Sequence, residues 1–158
     1  MKTIDCADVT ALESEISADF GAWSKPVTVT QDMINRFAEL TGDRQWIHLD
    51  VERARRESPF GNTIAHGFLL LSLLPQLQPA PVFTLSGYST AFNYGSDNLR
   101  FLAPVPAGTA IHAHQRLAAV ERKPKGVLLT YEIAIHATGG ERPALLYNLQ
   151  VLYQPKAQ

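Results

Sequence analysis

A chain of 158 residues suits one domain and is short for two. Its 14 basic and 15 acidic residues leave a formal charge of −1, and 46% of the residues are hydrophobic against 18% charged. That balance excludes a disordered chain and offers no basic footprint for nucleic acid or an anionic membrane surface. Cys6 is the single cysteine, so no intrachain disulfide is available. The start, MKTIDCADVT, has no apolar run behind its lysine, and the longest apolar stretch, 67–75, is about half of what a membrane span requires. The expectation is one domain over 1–158, cytoplasmic, with no nucleic-acid or membrane partner.

In chain order, Val9, Leu12 and Ile16 lie on one face of a helix within 5–18. Val27 and Val29 alternate with Thr28 and Thr30, as in a short strand over 25–30. Thr30 is placed to cap a helix with Asp32 in its first turn, Met33, Ile34, Phe37 and Leu40 on one face, and Gly42 at its end. Asp50 is placed to cap a second helix over 51–57, after which Pro59 and Gly61 break the chain. Residues 64–77 hold no Lys, Arg, Asp or Glu, which predicts a long helix buried on every side. Segments near 84–94, 97–103, 109–121, 126–138 and 142–153 are rich in β-branched and aromatic residues and are separated by breakers, which predicts an antiparallel meander. The fold class expected is α+β, with a curved sheet wrapped around a central helix.

Chemistry concentrates in TGDRQWIHLD, residues 41–50. Asp43 and His48 are five positions apart. They would lie about 140° apart on a helix and on opposite faces of a strand, so they meet only if the chain turns between them. A carboxylate and an imidazole within reach of one water form an acid–base unit. The spacing equally fits a second arrangement, in which Asp43 caps the next turn and His48 is a hydrogen-bonded core histidine. Residues 63–75, TIAHGFLLLSLLP, place His66 and Gly67 at a helix start, where unpartnered N–H groups could meet a thioester oxygen. Gly67 could instead serve packing alone, with His66 bonded to a backbone group. His112, His114 and His136 fit solvent-facing strand positions, and no metal-ligand spacing is present. Arg44, Arg53, Arg55 and Arg56 form a basic cluster that fits a coenzyme A phosphate or a solvated helix face.

FAELTGDRQWIHLD followed by IAHGFLLLSLLP resembles the hydratase-2 motif of the MaoC-like dehydratases, the (R)-specific enoyl-CoA hydratases. AFNYGSDNLRFLAPVPAG is similar to that family's strand and F-x-x-P-V-x-x-G turn, and the resemblance runs from Val27 to Gly108. It implies a hot-dog fold that dimerises by joining sheets edge to edge, with Asp43 and His48 activating a water and the Gly67 N–H holding the oxyanion. His66, Trp46 and Gln45 fall beside these as substrate-binding positions. Where many members read Asn-Pro, this chain has Gln45 and Trp46, as in a nodulation-protein-N-like subgroup, so Trp46 is expected to narrow or line the pocket. The activity implied is reversible syn hydration of trans-2-enoyl thioesters, carried on coenzyme A or acyl carrier protein, by a homodimer with no metal and no cofactor beyond the thioester substrate. A hot-dog thioesterase and a non-catalytic acyl-thioester binding or regulatory module are the rival readings.

Overall fold

The computed structural model describes residues 1–156. Its main sheet has the order β2 (Val27–Thr28), β6 (Ala110–Lys123), β7 (Gly126–Ala137), β8 (Leu145–Pro155), β4 (Tyr88–Gly95), with β5 (Leu99–Phe101) beside β8 in line with β4. All of these pairings are antiparallel. Only β6, β7 and β8 form the expected meander. β4 and β5 precede them in the chain yet lie on the far side of β8, so the connection crosses the sheet.

Strand periodicity explains which residues face inward. Ile133 and Ile135 of β7 point to one face with Leu129 and Val127, and all four are buried. The sheet curls around α5 (Gly67–Ser72) and α6 (Leu74–Leu77), whose Leu69, Leu70 and Leu77 pack on Ile111, Ile133, Ile135 and Leu145. Each fully buried Leu or Ile contributes roughly 1.5–3 kcal/mol by leaving water. The other half of the same face is covered by a small parallel pair, β1 (Thr3–Asp5) with β3 (Thr84–Ser86), and by α1 (Val9–Glu13). There Ile4, Val9, Leu12 and Phe83 close over Val127 and Leu129, and Tyr131 touches both halves of the core.

Two helices are shorter than their patterns predict. Within 5–18 only Val9–Glu13 is helical, because Asp5 and Asp8 bind the N–H groups of Ala7 and Ala11 at 2.9 and 3.0 Å and start the helix late. Within 64–77, residues 64–66 are extended: Ile64 bridges Pro106 and the Ala65 N–H bonds to the Val105 carbonyl at 2.8 Å. The helix then breaks at Leu73, since Pro75 has no N–H for the carbonyl four residues earlier and its ring crowds that carbonyl. Nor is the segment buried on every side, for Phe68 is 62% exposed. The predicted strand 84–94 is split at Gly87 (φ 78°), where a Cβ would lie 2.4 Å from the Asp5 carboxylate.

The histidines expected in solvent are covered. Residues 17–24 run along β6, with Ser17, Gly21 and Ser24 N–H groups bonded to the Leu117, Gln115 and Ala113 carbonyls. Trp23 stacks on both His112 and His114, at 3.9 and 3.7 Å between centroids, and Phe20 stacks on His114 at 4.2 Å. Because strand residues two apart share a face, the two imidazoles can hold aromatic rings of a passing segment against the sheet. His136 is buried at the same place, edge-on to Trp23. Among the described residues no helix is long and apolar enough to cross a membrane.

Candidate active site

The site begins with the stop of α2 (Gln31–Thr41). Thr30 caps its start, accepting the Met33 N–H at 3.2 Å, and Gly42 ends it in the left-handed region at φ 80°. That reversal carries Asp43 out of the helical path. The next turn, α3 (Trp46–Leu49), then presents His48 back towards it, and Asp50 caps α4 (Val51–Glu57) behind, accepting the Arg53 N–H at 2.9 Å. The turn without which Asp43 and His48 could not meet is therefore present.

Asp43, His48 and His66 each offer one polar side-chain atom, and these three atoms lie within 4.8 Å of one another. His48 is buried, and its Nδ1 lies 2.7 Å from the Ile64 carbonyl oxygen. A carbonyl only accepts, so Nδ1 carries the hydrogen and Nε2 keeps a free lone pair. The same reasoning places the His66 hydrogen on Nε2, 3.0 Å from the Asp43 carbonyl, and leaves its buried Nδ1 without a protein partner. The two imidazoles stack at 3.8 Å with 25° between planes, and Phe37 backs His66 at 5.1 Å. Burial pushes the His48 pKa below its ordinary value, and its bond to Ile64 opposes this. His48 is thus a neutral base at neutral pH. The three groups have the composition of a metal site. Each imidazole has one ring nitrogen on a main-chain carbonyl and keeps one lone pair, so the same group can equally hold a water molecule.

Beside His48 opens a cavity of about 260 Å³, lined by Ile64, Gly67, Leu70, Phe101 and Ala144 among others. Gly67 is the first residue of α5, so its N–H has no preceding turn to bond to. His66 caps that helix but faces Asp43 rather than the cavity. Gln45 and Trp46 do not line the cavity. The Gln45 carbonyl accepts the His48 N–H at 3.1 Å, shaping the turn through backbone, and Trp46 lies under the Arg53 guanidinium at 4.1 Å. Arg53 and Arg55 are paired with Glu57 and Glu52, each at 2.8 Å. Phe101 was not singled out by the sequence. Its ring lies so close to Gly67 that a Cβ there would fall 2.6 Å from ring Cδ1. The signal for it was the aromatic opening FLAPVPAG, the turn that forms one wall of the cavity.

A curved antiparallel sheet curled over a short central helix defines the hot-dog class. The MaoC like domain profile matches residues 16–134, and the chain belongs to that family of dehydratases, which are hydro-lyases. It is 45% identical over 128 residues to 3-hydroxyacyl-thioester dehydratase Z of Mycobacterium tuberculosis, covering 80% of this chain and 83% of that one. It is 37% identical over 155 residues to Nodulation protein N of Rhizobium leguminosarum bv. viciae, covering 98% and 94%. The solved monoamine oxidase regulatory protein from Archaeoglobus fulgius is similar at TM-score 0.69 and 29% identity, over 89% of this chain and 94% of that one. The (R)-hydratase from A. caviae shares the fold at TM-score 0.67 and 24% identity, over 86% and 97%.

Proposed function

We propose that this protein is an (R)-specific enoyl-thioester hydratase, adding water reversibly and syn across trans-2-enoyl thioesters to give (R)-3-hydroxyacyl thioesters. The observation that carries the reading is the tautomer of His48. Its Nδ1 is held by the Ile64 carbonyl, which leaves the Nε2 lone pair free on a residue that lines the cavity and offers one ring nitrogen within 4.8 Å of an Asp43 carboxylate oxygen. A water held by both groups loses a proton to Nε2 as its oxygen bonds to Cβ of the substrate. The electron pair of the double bond moves onto the thioester, giving an enolate whose oxygen faces the Gly67 N–H. The pair then returns the proton to Cα on the same face. The thioester itself makes Cβ electrophilic, so the reaction draws on no metal or redox cofactor. The carrier is coenzyme A or acyl carrier protein, the compartment the cytoplasm, and the whole chain acts as one domain.

The working form in this reading is a homodimer joined along β4. On the other side the sheet edge is already taken, because residues 17–24 and β2 bond along β6. β4 carries the open edge, and near it Phe92, Tyr94, Phe101 and Phe68 are each 46–62% exposed. An open apolar edge is a template for pairing with a second copy.

Crotonyl-CoA and longer trans-2-enoyl-CoAs test the reading, with loss of enoyl absorbance and release of thiol followed separately. Hydration without thiol release is expected, and Asp43→Asn and His48→Ala should each lower kcat by roughly 10²–10⁴ while remaining folded. Thiol release from saturated acyl-CoA would favour hydrolysis instead. Full hydration by both variants would overturn the assignment.

A further inference from the structure

We infer that Gln31 is a positioning residue for His48. It lies outside the catalytic pair and outside the cavity lining, and the inference rests on the role proposed above for His48. Gln31 is the first residue of α2, and its side chain reaches across to two other segments. One amide hydrogen goes to the main-chain carbonyl of His48 at 2.7 Å and the other to Asn35 Oδ1 at 2.9 Å. Its carbonyl accepts the Thr63 hydroxyl at 2.5 Å. Both donors and the acceptor of the amide are therefore in use.

These bonds close a loop around the imidazole. Thr63 is fully buried and precedes Ile64, whose carbonyl holds the His48 Nδ1–H and whose N–H bonds to the Ile47 carbonyl at 3.0 Å. The circuit runs from the His48 carbonyl through the Gln31 amide to the Thr63 hydroxyl, along the backbone to Ile64, and back to the His48 ring. Thr63 is itself tied to the turn before β6, its carbonyl accepting the Ala107 N–H at 2.9 Å. α3 is a single turn, too short to hold its own position. Gln31 is the bridge that fixes both the backbone carrying the base and the carbonyl that sets its tautomer. Without it, the register of α3 against residues 62–64 rests on the Ile64 N–H to Ile47 carbonyl bond and the His48 ring bond, and a displacement of about 1 Å at a reacting group costs up to roughly 10²-fold in rate.

Gln31→Met keeps the length and removes all three bonds; Gln31→Glu replaces the NH2 group with one oxygen that faces both the His48 carbonyl and Asn35 Oδ1. In both, kcat for crotonyl-CoA should fall about 10- to 100-fold. KM should change less than kcat, because Gln31 itself does not line the cavity. The acid limb of the kcat profile should move up in pH as His48 loses its buried seat. Nitrogen NMR of His48 should change from one Nδ1–H tautomer to a mixture, a signature that is read without turnover. Thr63→Val should reproduce part of the loss, while Thr63→Ser, which keeps the hydroxyl, should restore it. A folded Gln31→Met with wild-type kcat, acid limb and tautomer overturns the inference. If that variant does not fold, equal behaviour of Thr63→Val and Thr63→Ser overturns it instead. Retained hydration in His48→Ala would strike the proposed reaction, whereas the tautomer readout decides the role of Gln31 separately.

Discussion

Gly67→Ala separates two reasons for a glycine at this helix start. The added Cβ would lie 2.6, 2.8 and 3.0 Å from three carbons of the Phe101 ring. Carbon atoms in contact settle at about 3.5–4.0 Å, so the ring must retreat by roughly 1 Å. Phe101 is 46% exposed and has room to swing outward, which keeps the stability cost small. Yet the same ring and Gly67 both line the cavity next to His48. A shift of about 1 Å there, beside the N–H proposed to stabilise developing charge, should lower kcat/KM about 10²-fold, or roughly 2.7 kcal/mol. The assay is hydration of crotonyl-CoA by Gly67→Ala, Phe101→Ala and the double variant, with thermal unfolding of each. If the clash is the main cause, the alanine at 67 should cost less than about 10-fold once Phe101 is gone, a coupling of more than about 1.4 kcal/mol. Strict additivity would refute the clash. A wild-type rate in folded Gly67→Ala would remove Gly67 from the mechanism.

Because burial holds the His48 pKa below its ordinary value, kcat should stay flat on acidification past the usual histidine range and fall only at lower pH; an acid limb at or above about 6.5 would contradict a buried neutral base. Burial and the neighbouring His136 and His112 hold His114 down to about 4. A base depressed in the folded state favours folding above its unfolded pKa, so this contribution should be lost as pH falls from about 6.5 towards the folded value. Denaturant melts at pH 7 and pH 5 should show the loss, and His114→Gln should reduce it. Equal losses in both proteins would mean that stacking on Trp23 and Phe20 compensates the imidazolium. At the open edge, the proposed dimer should sediment at twice 17.4 kDa and Phe92→Asp with Tyr94→Asp should reduce it to 17.4 kDa; a wild-type mass of 17.4 kDa would refute the dimer, and an unchanged double mass would place its contact elsewhere.

Local chemistry was legible wherever a short stretch of chain decides its own shape. Thr30 and Asp50 cap the helices that their side chains predict, and Gly42 takes the left-handed turn. Gly42 at the stop of α2 permitted the turn through which Asp43 and His48 can meet. Strand alternation in 133–136 named the inward residues Ile133 and Ile135. The helix over 64–77 was overread, because an apolar run cannot by itself reveal that its first residues bond to Val105 and Pro106. Composition also misplaced His112 and His114, since only the path of residues 17–24 shows which rings cover them.

What the sequence determined by itself, then, was the set of turns, caps and faces, because those depend on interactions within a few residues. The tertiary structure alone decided which groups meet. His48 takes its tautomer from Ile64, His66 stacks on it after a separation of 18 positions, and Phe101 of β5 closes over Gly67 at the start of α5. Such contacts are set by how the sheet curls and by which segments it brings together, and neighbouring residues carry no signal of them.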